Sequence, residues 1–134
     1  MKNLLYFPFL ILLFLLSCED ETADGKFDFG EDEIFHTDQY YRSGDNSLKI
    51  SIREINDSRC PADVVCIWQG ETVVKIEIES PQKSTVSLKL YEDPIDTIGN
   101  YSFELKDVSP YPVSTETTLF RDYDVTLRIE KIGF

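Results

Sequence analysis

Histidine and positive charge are scarce in this sequence of 134 residues. It contains one histidine, His36, and 13 Lys and Arg residues against 25 Asp and Glu, which gives a formal net charge of -12. A zinc site needs three or four converging Cys, His or carboxylate ligands, and a nucleic-acid surface needs basic charge. We therefore predict no metal, no cofactor and no nucleic-acid partner.

Sequence signatures of catalysis are also missing. His36 and Asp38 would share one face of a strand, but no GxSxG-type nucleophile motif accompanies them. Acidic pairs such as Glu92 with Asp93 follow no calcium-loop pattern. We predict that the protein is not an enzyme. The alternative is an envelope enzyme, or a metal-dependent protein, that uses His36 and the acidic clusters.

The N-terminus has the pattern of an export signal. Lys2 precedes residues 4–16, a run without charge that is shorter than the roughly 20 residues needed to span a bilayer. We predict a signal peptide at residues 1–17. The sequence LLSC resembles the lipobox of bacterial lipoproteins, and this resemblance implies that Cys18 is acylated and becomes the first mature residue. An ordinary secretory signal with cleavage elsewhere is the alternative.

An acidic segment follows Cys18. Residues 18–32 contain seven Asp and Glu residues and one lysine, a composition that buries little and repels itself, so we predict a solvated tether. Acidic residues directly after the lipid cysteine resemble the surface-export signal of Bacteroidota-type lipoproteins; a plain linker facing the periplasm is the alternative. The expected location is the outer membrane, through a lipid anchor, at the cell surface or the periplasmic face.

Alternating apolar and polar residues indicate the fold of the remaining chain. The alternation predicts five strands, and two further strands are expected at residues 33–41 and 117–120; the five lie within residues 48–53, 74–79, 86–91, 101–106 and 123–130. Strands with one apolar face must pack face to face. We predict one all-β domain at residues 33–134, an antiparallel, immunoglobulin-like β-sandwich of six or seven strands, with a small β-barrel as the alternative.

Two cysteines and the only tryptophan lie within nine positions. If lipid occupies Cys18, then Cys60 and Cys66 remain as an even pair in an oxidising compartment, and we predict a disulfide between them. Residues two apart on a strand share a face. An unbroken strand from Cys66 onward would therefore place Trp68 in the core; an exposed Trp68 that recognises a partner is the alternative.

The stretch DSRCPADVVCIWQGE resembles a recurrent motif, D-S-R-C-P, four residues, C-x-W-x-G-E, of small uncharacterised bacterial lipoproteins. This resemblance implies a β-domain and an exported location, and it implies no activity. From the residues themselves, Asp57 is expected to accept backbone hydrogens at the turn or to pair with Arg59. The candidate binding-loop residues are Asp57, Arg59, Pro61, Trp68 and Glu71.

These observations lead to one main hypothesis and two further ones. The main hypothesis is a non-catalytic, lipid-anchored binding or assembly module whose disulfide-braced loop, residues 58–71, faces a protein or glycan. One form of it is a protease-inhibitor-like loop that offers Arg59. The second hypothesis is the envelope enzyme or metal-dependent protein described above, and the third is a purely structural role as an accessory or immunity subunit.

Overall fold

The computed structural model describes residues 24–133, which form a β-sandwich of nine strands and one short 3₁₀ turn, Phe120–Asp122. The strands are β1 (Gly25–Phe27), β2 (Asp32–His36), β3 (Tyr40–Ser43), β4 (Lys49–Asp57), β5 (Thr72–Ser80), β6 (Ser84–Lys89), β7 (Ile95–Ile98), β8 (Tyr101–Ser109) and β9 (Asp124–Lys131). In this part of the chain no helix has the length and apolar character to cross a membrane. The predicted signal peptide, Cys18 and residues 19–23 lie outside the described residues.

The strands form two sheets. The first has the order β1-β3-β4-β5-β6 and the second β2-β9-β8-β7. All pairings are antiparallel except that of β1 with β3, which is parallel. The two sheets do not close into a barrel, so the predicted sandwich is confirmed.

The core lies between the inner faces of the two sheets. Strand β5 alternates buried and half-buried residues along its length, as expected of a strand with one dry face. Aliphatic and phenylalanine side chains from both sheets fill the interior, and the largest of them that are fully buried are Phe35, Phe103, Leu48, Ile50, Ile76, Leu88, Leu127 and Ile129.

The five strands predicted from alternation are confirmed as β4, β5, β6, β8 and β9. The strand expected at residues 33–41 is two strands in different sheets, because the chain turns at residues 37–39. No strand forms at residues 117–120. Two strands were not predicted, β1 and β7. Since Phe27 in β1 is buried, the domain begins before residue 33, and the predicted tether of residues 18–32 is too long.

One end of the sandwich, which we call the loop pole, carries the two longest loops and one loop of five residues. These are residues 58–71 between β4 and β5, residues 90–94 between β6 and β7, and residues 110–123 between β8 and β9. Hydrogen bonds join the first loop to each of the other two. The turns at residues 44–48 and 99–100 lie at the opposite end.

Candidate functional site

The loop of residues 58–71 begins as a continuation of the β4–β5 ladder. The Ser58 amide donates to the Glu71 carbonyl at 2.8 Å, and the Cys60 amide donates to the Gln69 carbonyl at 2.7 Å. A disulfide joins Cys60 to Cys66, as predicted. Residues 61–69 thus project from a paired stem, and the disulfide closes residues 60–66 into a ring.

A buried ion pair lies under this stem. The Arg59 guanidinium donates to both carboxylate oxygens of Asp57, at 2.8 and 2.7 Å, and the two side chains are 1% and 3% exposed. The hydroxyls of Thr72 and Tyr123 also donate to the Asp57 carboxylate. Burial raises the pKa of Asp57, but hydrogen bonds and charge from Arg59 outweigh it, so the pKa lies below its usual range. The pairing of Asp57 with Arg59 is confirmed.

Arg59 also connects the two long loops of the pole. Its guanidinium donates to the Val108 carbonyl at 2.8 Å and to the Pro110 carbonyl at 3.1 Å. The Tyr111 ring covers it, with 4.7 Å between the guanidinium carbon and the ring centroid. A protease-inhibitor-like loop must present its arginine to the protease, and Arg59 is 4% exposed. The hypothesis that Arg59 is offered to a protease is therefore wrong, because the guanidinium is committed to the interior.

Gly70 and Glu71 also have structural roles in the loop. Gly70 has a φ of +73°, and a Cβ there would collide with the Ser58 carbonyl and lie 2.9 Å from the Arg59 Cα. Glycine is thus required both by backbone conformation and by space. The Glu71 carboxylate accepts from the backbone amides of Tyr91 and Glu92, each at 3.1 Å. It fixes the turn between β6 and β7 to the stem.

The far part of the loop exposes apolar side chains, which we call the apolar tip: Val64, Val65, Ile67 and Trp68. Val65 and Ile67 are fully exposed, Trp68 is 72% exposed and Val64 is 43% exposed. The expectation that Trp68 lies in the core is wrong. Strand β5 begins only at Thr72, and the positive φ of Gly70 interrupts the strand parity from which core placement was predicted.

The second long loop braces the base of the tip. The Ala62 amide donates to the Pro112 carbonyl at 3.0 Å, and the Asp63 carboxylate accepts from the backbone amide and the hydroxyl of Ser114. These hydrogen bonds from Ser114 lower the pKa of Asp63. The tip is therefore supported from two sides, while its own side chains remain in solvent.

Exposed apolar residues are concentrated at the loop pole. Twelve large hydrophobic side chains are exposed among residues 24–133, and eight of them belong to its three loops. They are the four residues of the apolar tip together with Tyr91, Tyr111, Leu119 and Phe120. Scattered exposed hydrophobic residues are ordinary, whereas a concentration of them at one place is a feature of many interaction sites.

His36 lies apart from the apolar tip. It ends β2, and its Nδ1 contacts the Asp124 carboxylate across the β2–β9 pair, on the protein surface. The side-chain contact of His36 is with Asp124, and neither Asp38 nor the acidic pair of Glu92 and Asp93 takes part in it. Within residues 24–133 no group of three or more His, Cys, Asp and Glu side chains could hold a metal ion.

Comparisons with protein-family models, with curated proteins and with solved structures give no match to this chain. Of the predicted loop residues, Asp57, Arg59 and Glu71 form the support, Pro61 begins the projecting segment, and Trp68 belongs to the exposed tip. Sequence reasoning missed Val64, Val65 and Ile67, although three aliphatic residues around a cysteine in a loop are an available signal.

Proposed function

We propose that the protein is a non-catalytic, lipid-anchored binding module of the bacterial cell envelope, attached through an acylated Cys18, and that the apolar tip is its contact surface. The observation that carries the contact surface is the full exposure of Val65 and Ile67 beside Trp68, within and directly after the ring that the Cys60–Cys66 disulfide closes. Moving exposed aliphatic side chains from water into contact with an apolar partner lowers the free energy of the system.

The rigidity of the loop supports a binding role. The disulfide, the buried Asp57–Arg59 pair and the hydrogen bonds to residues 110–114 hold the stem before any partner arrives. A preordered loop has little backbone entropy to lose on binding. Trp68 adds a large apolar surface with a polar N–H, a side chain that is enriched among the residues that dominate binding energy.

The anchor and the contact surface can be tested separately. Mass analysis of the mature protein should find Cys18 as an acylated first residue, and Cys18→Ser should abolish acylation. A photo-crosslinking amino acid at Val65 should form adducts with envelope components in cells, whereas the same group at the exposed Ile132, at the opposite end of the sandwich, should not. Unmodified Cys18 would contradict the anchor, and equal crosslinking at the two positions would contradict the contact surface.

A further inference from the structure

We infer that the apolar tip enters the headgroup region of the membrane that holds the protein, so that the loop pole faces the bilayer. The inference rests on the lipid anchor proposed above and names a lipid surface as the partner of the tip. Acyl chains on Cys18 would hold the protein on the membrane, and the tip would set the orientation of the domain.

The direction of β1 is the first argument. Strand β1 runs parallel to β3, and β3 is antiparallel to β4, whose C-terminal end leads into the loop that carries the tip. The start of β1 therefore faces the loop pole, and the strand runs away from it.

The length of chain before β1 is the second argument. Six peptide units separate Cys18 from Asp24, and they reach at most about 21 Å when fully extended. Asp24 lies at the level of Ser51, because Gly25 pairs with Tyr41 and the neighbouring Tyr40 pairs with Ser51. From Ser51 to Asp57 at the loop pole, strand β4 rises by about 20 Å. A tether that continues along the line of β1 and is fully extended would bring Cys18 to the level of Asp57 at the loop pole.

The chemistry of the tip fits the membrane interface. Val65 and Ile67 offer aliphatic surface, and Trp68 is the residue type that concentrates where headgroups meet acyl chains. Charge restricts the kind of lipid. The chain has a net charge of -12, and Asp63, Glu116 and Asp122 lie in the loops of the pole. Because anionic headgroups would repel these carboxylates, a zwitterionic surface is the matching partner.

The single tryptophan makes a direct test possible, because its fluorescence reports on the tip alone. We would reconstitute the mature, acylated protein, which begins at Cys18, into phosphatidylcholine vesicles that contain lipids brominated near the headgroup end of the acyl chains. Trp68 should lose most of its emission to bromine quenching, and the remaining emission should lie at shorter wavelength than that of the protein freed from its anchor. Bromines placed near the ends of the acyl chains should quench less.

Two variants provide the matched comparison. Val65→Ser with Ile67→Ser should leave Trp68 and the fold in place, shown by an unchanged far-UV circular dichroism spectrum, while most of the quenching is lost. Ile132→Ser removes an exposed aliphatic side chain at the opposite end and should keep the quenching. Equal quenching in both variants would overturn the inference.

The experiment distinguishes a tip that does not enter the membrane from a protein that carries no lipid anchor. Protein that floats with the vesicles but keeps unquenched, water-exposed Trp68 emission overturns the inference, leaves the anchor intact and directs the tip toward a soluble partner. Protein that does not float with the vesicles overturns the anchor, and the inference falls with it.

Discussion

Replacement of Arg59 by methionine should destabilise the domain strongly, because it removes one charge of a buried ion pair. The Asp57 carboxylate would lose two hydrogen bonds from the guanidinium while remaining 3% exposed. Loss of one partner of such a pair costs about 3–5 kcal/mol of unfolding free energy, since the remaining charge is buried without compensation. The total free energy of unfolding of a single domain is about 5–15 kcal/mol, so the variant should lose a large part of its stability.

The expected loss can be measured by urea unfolding of residues 19–134, followed by far-UV circular dichroism. In thermal unfolding of the same protein, a loss of about 1 kcal/mol lowers the melting temperature of a domain of this size by about 4 °C. The melting temperature of the variant should therefore fall by roughly 12–20 °C. Arg53→Met is the matched control. Arg53 also lies in β4, but its side chain is 71% exposed and pairs with Glu77 at the surface, so its loss should cost no more than about 1 kcal/mol.

The double variant Asp57→Asn with Arg59→Met adds a further check. Because each single variant leaves the other partner buried alone, the double variant should be less destabilised than the sum of the two single ones. An Arg59→Met protein as stable as Arg53→Met would refute the reasoning that Arg59 is a buried structural residue. Inhibition of trypsin-like proteases by the wild-type protein would refute it as well.

Three further predictions concern the support of the apolar tip. Replacing Cys60 and Cys66 by serine should cost about 2.4 kcal/mol, the chain-entropy value for a loop of seven residues, in the urea assay under non-reducing conditions. Gly70→Ala should cost more than Gly99→Ala, because both glycines have positive φ but only Gly70 meets neighbouring backbone; equal costs would contradict this. The lowered pKa of Asp57 means that its contribution to stability is complete above its ordinary pKa of 3.8 and is lost as the pH falls through the lower value of the folded state. Asp57→Asn should therefore show a weaker loss of stability on acidification than wild type, as measured by urea midpoints at several pH values.

The long strands could be predicted because each has one dry face. Alternation identifies β4, β5, β6, β8 and β9 without further information. Strand β7 was missed because its four residues are exposed or half-buried and lie between Pro94 and Gly99, both turn formers. Strand β1 was missed because only Phe27 among its three residues is buried, within an acidic stretch.

The candidate site was predictable only where its interactions are local. The Asp57–Arg59 pair and the Cys60–Cys66 bridge connect residues close in sequence, and both were anticipated. The burial of Arg59 depends on the Val108 and Pro110 carbonyls, which are 49 and 51 positions away. Without those partners, Arg59 resembled an exposed loop arginine and Trp68 a core residue, and the structure reverses both assignments.

The accessibility of Trp68 in the folded protein tests the central claim most directly: a buried stem holds an apolar tip in solvent. Residues 19–134 would be titrated with iodide in buffer without lipid, in the native state and in urea. We predict that native Trp68 is quenched nearly as readily as in the unfolded chain and emits at a similar wavelength. Native emission that is shielded from iodide and shifted to shorter wavelength would contradict the account.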